Sequence, residues 1–243
     1  MEVGEKSLFG VPKVGAVIVG AGSSRRMGGM DKLFLPLLGT PVLARTLLAF
    51  ERCDLISEIV VVTKEESAEK VRTLAEEYGI TKLKAVVLGG NERADSVKNG
   101  VLALGEDVEF VAIQDGARPL VEPEAIARCA EDAFQYGGAI LAVPVVDTIK
   151  YGKKNGLVEY TPAREKLFAV QTPQIFEKTA YLEAMERALS ERRDWTDDSQ
   201  YFENDGRKVF LTAGSRRNIK ITSPEDLLIA EAFLRDREKG EEA

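Results

Sequence analysis

Five apolar, β-branched runs, at residues 14–19, 59–63, 84–88, 109–113 and 139–143, are separated by stretches of helical periodicity with recognisable ends. This alternation constrains the fold more than any other feature of the chain. Thr40 and Pro41 place an N-cap and a first-turn proline ahead of Val42, Leu43, Thr46, Leu47 and Phe50. A helix over 65–78 meets Gly79, one over 93–104 meets Gly105, and Glu122 with Pro123 opens another that runs to Gly137. Strands alternating with helices of this length predict an α/β fold whose mainly parallel sheet is covered on both faces. At 243 residues, 44% hydrophobic and 30% charged, the chain has room for one large α/β domain or two small ones.

The alternation stops after Pro144. Residues 145–170 carry no helical period, and Asn155 with Gly156, inside the tetrad KKNG, is a type I′ turn signal. Residues 147–169 therefore read as an extruded β-hairpin. A lone hairpin is marginal in water, so it needs a surface to pack on. A second subunit is the simplest candidate, and a hairpin folded back on its own domain is the alternative. Helices return over 178–192, 197–204 and 223–237, the last capped at Ser223, Pro224, Glu225 and Asp226. Residues 237–243 read as a frayed end.

Composition removes several classes of function. The chain has no histidine, which excludes Ser-His and Cys-His nucleophile pairs and leaves Lys, Arg, Asp or a metal ion to carry any chemistry. A net charge of -7 argues against a nucleic-acid partner, because phosphate backbones need a basic face. Any phosphate site must therefore be local. No apolar run approaches the roughly 18 residues of a membrane span, and no secretory leader is visible, so a cytoplasmic protein without a membrane partner is expected. Cys53 and Cys129 lie in helical patterns without metal-ligand spacing and are expected to be free buried thiols, with no zinc site.

In an open parallel sheet, ligands bind outside the carboxyl ends of the strands, which directs attention to the segments after each strand. The first is GAGSSRRMGGMDK, residues 20–32. The backbone at Gly20, Ala21, Gly22, Ser23 and Ser24 can approach a ligand closely and form an anion nest, and Arg25, Arg26 and Lys32 add three cations. The segment lacks the Gly-Lys-Ser/Thr ending of a P-loop and the spacing of a dinucleotide fingerprint. A plain turn with solvated arginines is the alternative. The second is GGNERADSV, residues 89–97, where Gly90, Asn91 and Ser96 can read the polar edge of a base or can simply form a turn and a cap. The third is IQDGARPL, residues 113–120, where Asp115 and Arg118 suit a metal ion or a substrate hydroxyl, or where Asp115 merely caps the turn. In the fourth, Thr148 opens the hairpin beside the same crevice.

Taken together and in order, AGSSRRM…DK, GGNERADSV, QDGARP, VPVVDTIK, TPQIF and NIKITSPEDL resemble the 2-C-methyl-D-erythritol 4-phosphate cytidylyltransferases of the non-mevalonate isoprenoid pathway. These belong to the nucleotidyltransferase group of Rossmann-like sugar-nucleotide enzymes. The resemblance runs from Val14 to about Leu234 and implies a single nucleotidyltransferase domain over 1–243, with 147–169 as a dimerisation arm. It implies an enzyme that transfers CMP from CTP to the polyol phosphate and releases pyrophosphate.

By the same resemblance, Arg26 and Lys32 bind the triphosphate and stabilise charge at the α-phosphate. Gly20, Ala21, Gly22, Ser23, Ser24, Arg25 and Arg93 complete the CTP site, while Gly90, Asn91 and Ser96 recognise cytosine. Asp115, Arg118, Thr148, Thr196 and Lys220 surround the acceptor. Arg164 reaches the acceptor phosphate of a neighbouring subunit in a homodimer. The implied cofactor is Mg2+ or another divalent cation, held largely by the triphosphate, with Asp115 as a protein ligand.

Four positions depart from the family's commonest pattern: Gly20 for alanine, Ser24 for glycine, Asn91 for aspartate and Gln114 for histidine. Asn91 still offers both a donor and an acceptor to a base. The competing readings are a ribitol 5-phosphate cytidylyltransferase of the same build, another sugar-nucleotide pyrophosphorylase, and a non-catalytic nucleotide-binding module.

Overall fold

The run Val14–Val19 forms strand β1, with residues 14–18 buried, as expected for a strand inside a parallel sheet covered on both faces. The chain then passes through a 3-10 turn, Lys32–Phe34, and a two-residue pair, β2 (Pro36–Leu37) with β3 (Thr40–Pro41), into α1 (Val42–Glu51). Next come β4 (Ile56–Thr63), α2 (Glu65–Glu77), β5 (Leu83–Leu88), α3 (Arg93–Leu102), β6 (Phe110–Asp115), α4 (Pro123–Tyr136) and β7 (Gly138–Pro144). A small hairpin, β8 (Tyr151–Gly152) and β9 (Val158–Tyr160), leads through a 3-10 turn at Arg164–Lys166 to β10 (Phe168–Glu177). The chain closes with α5 (Lys178–Ser190), α6 (Ser199–Asn204), β11 (Phe210–Ala213) and α7 (Pro224–Glu241). This computed structural model describes residues 10–22, 31–191, 193 and 195–241.

Seven strands form one sheet in the order β11-β7-β10-β6-β1-β4-β5. β1 pairs in parallel with both β4 and β6, β4 with β5, and β7 with β11, whereas β10 runs antiparallel between β6 and β7. Two apolar clusters cover the sheet. Side chains of α1, α2, α4 and α7 bury one face, among them Phe50, Val71, Ile126 and Leu234. Those of α3, α5 and α6 bury the other, among them Val97, Met185 and Phe202. The α/β architecture therefore follows the alternation in the sequence, and the Rossmann-like expectation holds.

The departures are local and have physical causes. Thr40 does not cap α1, because it is taken up in the β2–β3 pair opposite Leu37, and Pro41 takes the N-cap position without a side-chain bond. The hairpin turn is not type I′. Among the described residues, Leu38 is the non-glycine with positive φ, so Asn155 lies outside the left-handed region while Gly156 has φ 84°. Gly156 N–H donates to the Lys153 carbonyl (2.9 Å) and Lys153 N–H to that of Leu157 (2.8 Å), a turn followed by a glycine bulge.

The paired part of the hairpin is shorter than residues 147–169, and residues 168 and 169 already belong to β10. Tyr151 and Tyr160 stack across the hairpin (centroids 4.9 Å apart), yet the arm stands exposed and does not fold back on the sheet. β10 itself escapes a reading by alternation because its buried centre carries Gln171, Thr172 and Gln174 beside Pro173. The final helix continues through Glu241, past the expected fraying point at 237.

β10 brings Phe176 against Tyr181 (5.3 Å between centroids) and Phe202 (4.9 Å), fastening the strand to α5 and α6. Phe176→Ala should cost about 3–5 kcal/mol in urea unfolding, the range for deleting a buried aromatic ring. A loss below about 1 kcal/mol would show that β10 is not anchored through this ring.

Candidate active site

The carboxyl ends of β1, β5 and β6 open into a pocket of about 490 Å³. Its floor is Val19 to Gly22 at the end of β1. One wall is the turn from Gly90 to Arg93 with Ser96, and the other is formed by Lys32, Asp115, Lys220 and Thr222. The β1 and β5 loops meet at close range. A Cβ on Gly89 would lie 2.4 Å from that of Ala21, so glycine is required there for the two loops to approach, and one on Gly90 would lie 2.2 Å from that of Asp95, so glycine is required there for the turn to close on the start of α3.

The turn is held by its own side chains. Ser96 donates its hydroxyl proton to the Glu92 carbonyl (3.1 Å) and accepts from Gly90 N–H (3.1 Å). Asp95 accepts from Glu92 N–H (3.1 Å), half of a capping box that starts α3. Ser96 thus shapes the Gly90–Asn91 edge with its own proton already committed, and Asn91 stands exposed on the pocket rim.

On the opposite side, the cations are placed through one segment that follows β11. Lys220 pairs with Asp115 Oδ2 at 3.0 Å. Arg118 Nε reaches the same oxygen at 3.3 Å and donates through Nη1 to the Asn218 carbonyl (2.8 Å). Lys32 donates through Nζ to the Ile221 carbonyl (2.7 Å), and Ile221 N–H donates to that of Ala117 (2.8 Å). Asp226 closes the segment by accepting from the N–H groups of Thr222 (2.7 Å) and Ser223 (2.8 Å). Lys32 is held from its own side as well: Asp31 caps the 3-10 turn and accepts from Ser67 (3.2 Å).

Burial alone would raise the Asp115 pKa, but Lys220, Arg118 and Arg93 more than offset it and hold the carboxyl below its ordinary value. Arg93 is pinned from behind: its Nη2 lies 2.6 Å from Asp198 Oδ2, a fully buried carboxylate whose other oxygen accepts from Tyr181 (2.8 Å). Although desolvation works against the cation, Asp198 keeps the Arg93 pKa raised. Burial likewise pushes the Cys129 thiol up to about 12, and both cysteines are free and buried as expected.

The pocket therefore gathers Gly20, Ala21, Gly22, Lys32, Gly90, Asn91, Arg93, Ser96, Asp115 and Lys220. Arg118 stands behind Asp115. Thr148, Arg164 and Thr196 are exposed and do not line this pocket. Ser23, Ser24, Arg25 and Arg26 lie outside the described residues. No sequence signal pointed to Glu92 and Thr222 in the pocket wall, to the Ile221 carbonyl under Lys32, or to the Asp198–Tyr181 support behind Arg93. Spacings of 189 and 105 residues leave no periodic trace. Among the described residues no helix is long and apolar enough to cross a membrane.

A mainly parallel sheet whose pocket is lined by Gly20 to Gly22 after β1, by the polar turn after β5 and by Lys32 and Lys220 defines a Rossmann-like nucleotidyltransferase. The family model for 2-C-methyl-D-erythritol 4-phosphate cytidylyltransferase matches residues 14–236. Proteins of that name from Dehalococcoides mccartyi and Caldanaerobacter subterraneus are 47% and 45% identical, covering 92% and 91% of this chain and 96% and 99% of theirs. The solved structure of 4-diphosphocytidyl-2C-methyl-D-erythritol synthase from Anaerococcus prevotii matches with a TM-score of 0.84 at 31% identity. It covers 92% of this chain and 96% of that one. The corresponding cytidylyltransferase structure from Thermus thermophilus gives 0.74 at 30% identity, with 90% and 98% covered. The chain belongs to the 2-C-methyl-D-erythritol 4-phosphate cytidylyltransferase family.

Because its folded pKa is depressed, Asp115 adds stability that is complete above the unfolded value of 3.8 and is lost only as pH falls below it. The stability gap between the native protein and Asp115→Asn should be flat from pH 8 to about pH 5 and narrow below about pH 4. Chemical denaturation across that range measures it; a gap that widens on acidification contradicts the assignment.

Proposed function

We propose that the pocket carries out the family's reaction, the transfer of CMP from CTP to 2-C-methyl-D-erythritol 4-phosphate with release of pyrophosphate, with the residues assigned as follows. Lys32, with Arg26 of the same loop, faces the triphosphate. Gly20, Ala21 and Gly22, together with Ser23, Ser24 and Arg25, wrap the phosphates. Gly90 and Asn91, on the turn held by Ser96, read cytosine, and Arg93 flanks them. Asp115, Arg118, Thr148, Thr196 and Lys220 receive the acceptor. The observation that carries this reading is the convergence of Lys32 and Lys220 on one short segment, where each lines the pocket from its own bond to backbone or carboxylate.

The chemistry requires no histidine. The acceptor is a phosphate monoester, nearly dianionic at neutral pH and already a nucleophile. Its oxygen attacks the α-phosphorus of CTP, the new P–O bond forms, and the bond to the departing pyrophosphate breaks. The obstacle is the approach of a dianion to a polyanion, so catalysis consists of supplying positive charge and holding the two groups in line. Lys32 and Arg26 serve the α-phosphate and leaving group, while Lys220 and Arg164 serve the acceptor phosphate.

Among the described residues no three metal-ligating side chains cluster, and Asp115 Oδ2 is shared by Lys220 and Arg118. The donor set fits a divalent cation such as Mg2+ held mainly by the nucleotide's phosphates, with Asp115 as its protein carboxylate. When bound, that ion supplies further neutralisation of phosphate charge.

The assembly we infer is a homodimer joined through the arm at 147–169, on a single nucleotidyltransferase domain acting in the cytoplasm without nucleic-acid or membrane partners. Ile149, Tyr151, Leu157, Val158 and Tyr160 are all exposed hydrophobic side chains there, a concentration that marks an interaction surface. Arg164 donates to the Val146 carbonyl (2.9 Å) at the base of the arm, outside its own pocket. This placement suits a residue that completes a neighbour's site.

Lys32→Ala and Arg26→Ala should each lower kcat by about two orders of magnitude or more, the scale for losing one preorganised charge stabiliser; near-normal kcat in a folded variant removes that residue from the assignment. Mixing Arg164→Ala with Lys32→Ala subunits should restore part of the activity through one intact hybrid site, and no rescue in proven heterodimers would rule out a shared site. Pyrophosphate release from CTP and Mg2+ should require methylerythritol phosphate, with ribitol phosphate and no acceptor far slower. Equal turnover with ribitol phosphate would reassign the acceptor.

A further inference from the structure

The segment around Thr196 lies between β10 and α3, and its fastenings differ in kind from those of an ordinary loop. Asp198 has no exposure to solvent. Its N–H and that of Ser199 both donate to Gln174 Oε1 (3.1 and 2.9 Å), while Gln174 Nε2 donates to Asp197 (3.1 Å). Gln200 Nε2 in turn donates to the Thr196 hydroxyl (2.9 Å), and Thr196 N–H donates to Gln200 Oε1 (3.0 Å). One buried glutamine of β10 thus fixes the backbone that presents Thr196. The side chain of Asp198 then leaves this segment altogether and binds Arg93, the first residue of α3, on the nucleotide wall.

We infer that Asp198 is a positioning residue: through Arg93 it ties the Thr196 segment to the helix that carries the base-reading turn, so that the acceptor half-site is held in register with the nucleotide half-site. The inference rests on the reading of Thr196 as an acceptor contact. A carboxylate with no exposure needs partners on both oxygens, and it has them in Arg93 and the Tyr181 hydroxyl. Burial and the neighbouring Asp198 raise the Tyr181 pKa well above its ordinary value, so the phenol remains the donor. α3 does not depend on the tie, since its own capping box and the buried Val97 and Val101 hold it to the sheet. The acceptor side keeps its fold through Gln174 when the tie is cut and loses only its setting against α3.

Asp198→Asn tests this. It removes the buried negative charge, keeps an acceptor for Tyr181, and leaves Arg93, whose side chain is 38% exposed, free to turn to solvent. The KM for methylerythritol phosphate should rise about tenfold with kcat within about threefold of native, since shifting a contact segment weakens the ligand it touches, and the KM for CTP should rise as well because Arg93 lines the nucleotide wall. An acceptor KM within twofold of native overturns the inference. If Asp198→Asn fails to fold, Tyr181→Phe decides, because it loosens the Asp198 carboxylate without changing a charge. A rise of about threefold in acceptor KM supports the tie, and no rise overturns it. Thr196→Val, measured in parallel, separates the two ideas. If it leaves the acceptor KM unchanged, the reading of Thr196 has failed and the tie falls with it; if it raises that KM while Asp198→Asn and Tyr181→Phe do not, only the tie has failed.

Discussion

The ion pair between Asp115 and Lys220 sits where the sheet ends and the pocket begins, and much of the site is built outward from it. Asp115 closes β6, is nearly buried, and has its backbone N–H bonded to the Thr172 hydroxyl of the antiparallel strand β10. A carboxylate in that position is tolerated only with cations beside it. Lys220 and Arg118 fill that need, and Arg118 extends the connection to the carbonyl of Asn218. With residues 218–222 so placed, the Ile221 carbonyl comes under Lys32. One requirement for charge compensation thereby sets the positions of two lysines drawn from opposite ends of the chain.

The same logic recurs behind Arg93, where a second buried carboxylate, Asp198, determines where a pocket cation can stand. The two carboxylates act in opposite senses. Asp115 lines the pocket itself, whereas Asp198 lies in the core and supports Arg93, which lines it. In both cases β10 supplies the fixed point, through Thr172 for one and Gln174 for the other. The polar residues that make β10 hard to recognise as a buried strand are therefore the ones that hold the site together.

The sheet was legible because its strands carry the simplest signal available, uninterrupted apolar runs bounded by glycine and capping residues. Val14–Val19 and the core of β4 to β7 fall where those runs fall, and the helices between them end at Gly79 and Gly137 as their positive φ values require. The arm was legible from Asn155 and Gly156, although its turn geometry was not: a type I′ turn and a turn with a bulge glycine share the same letters, and only the backbone chooses between them. β10 and the short edge strand β11 went unread because neither alternates and neither is uniformly apolar.

The sequence by itself determined the alternation of strand and helix, the absence of histidine chemistry, and the motif order that places this chain among the cytidylyltransferases. Those are properties of local pattern and of residue type, which a linear chain displays directly. Only the tertiary structure decided which cations meet which anions: Lys32 with the Ile221 carbonyl, Lys220 with Asp115, and Arg93 with Asp198. Such pairings are set by where a buried charge must be compensated after the sheet has closed. Nothing in the spacing of the residues along the chain records that constraint.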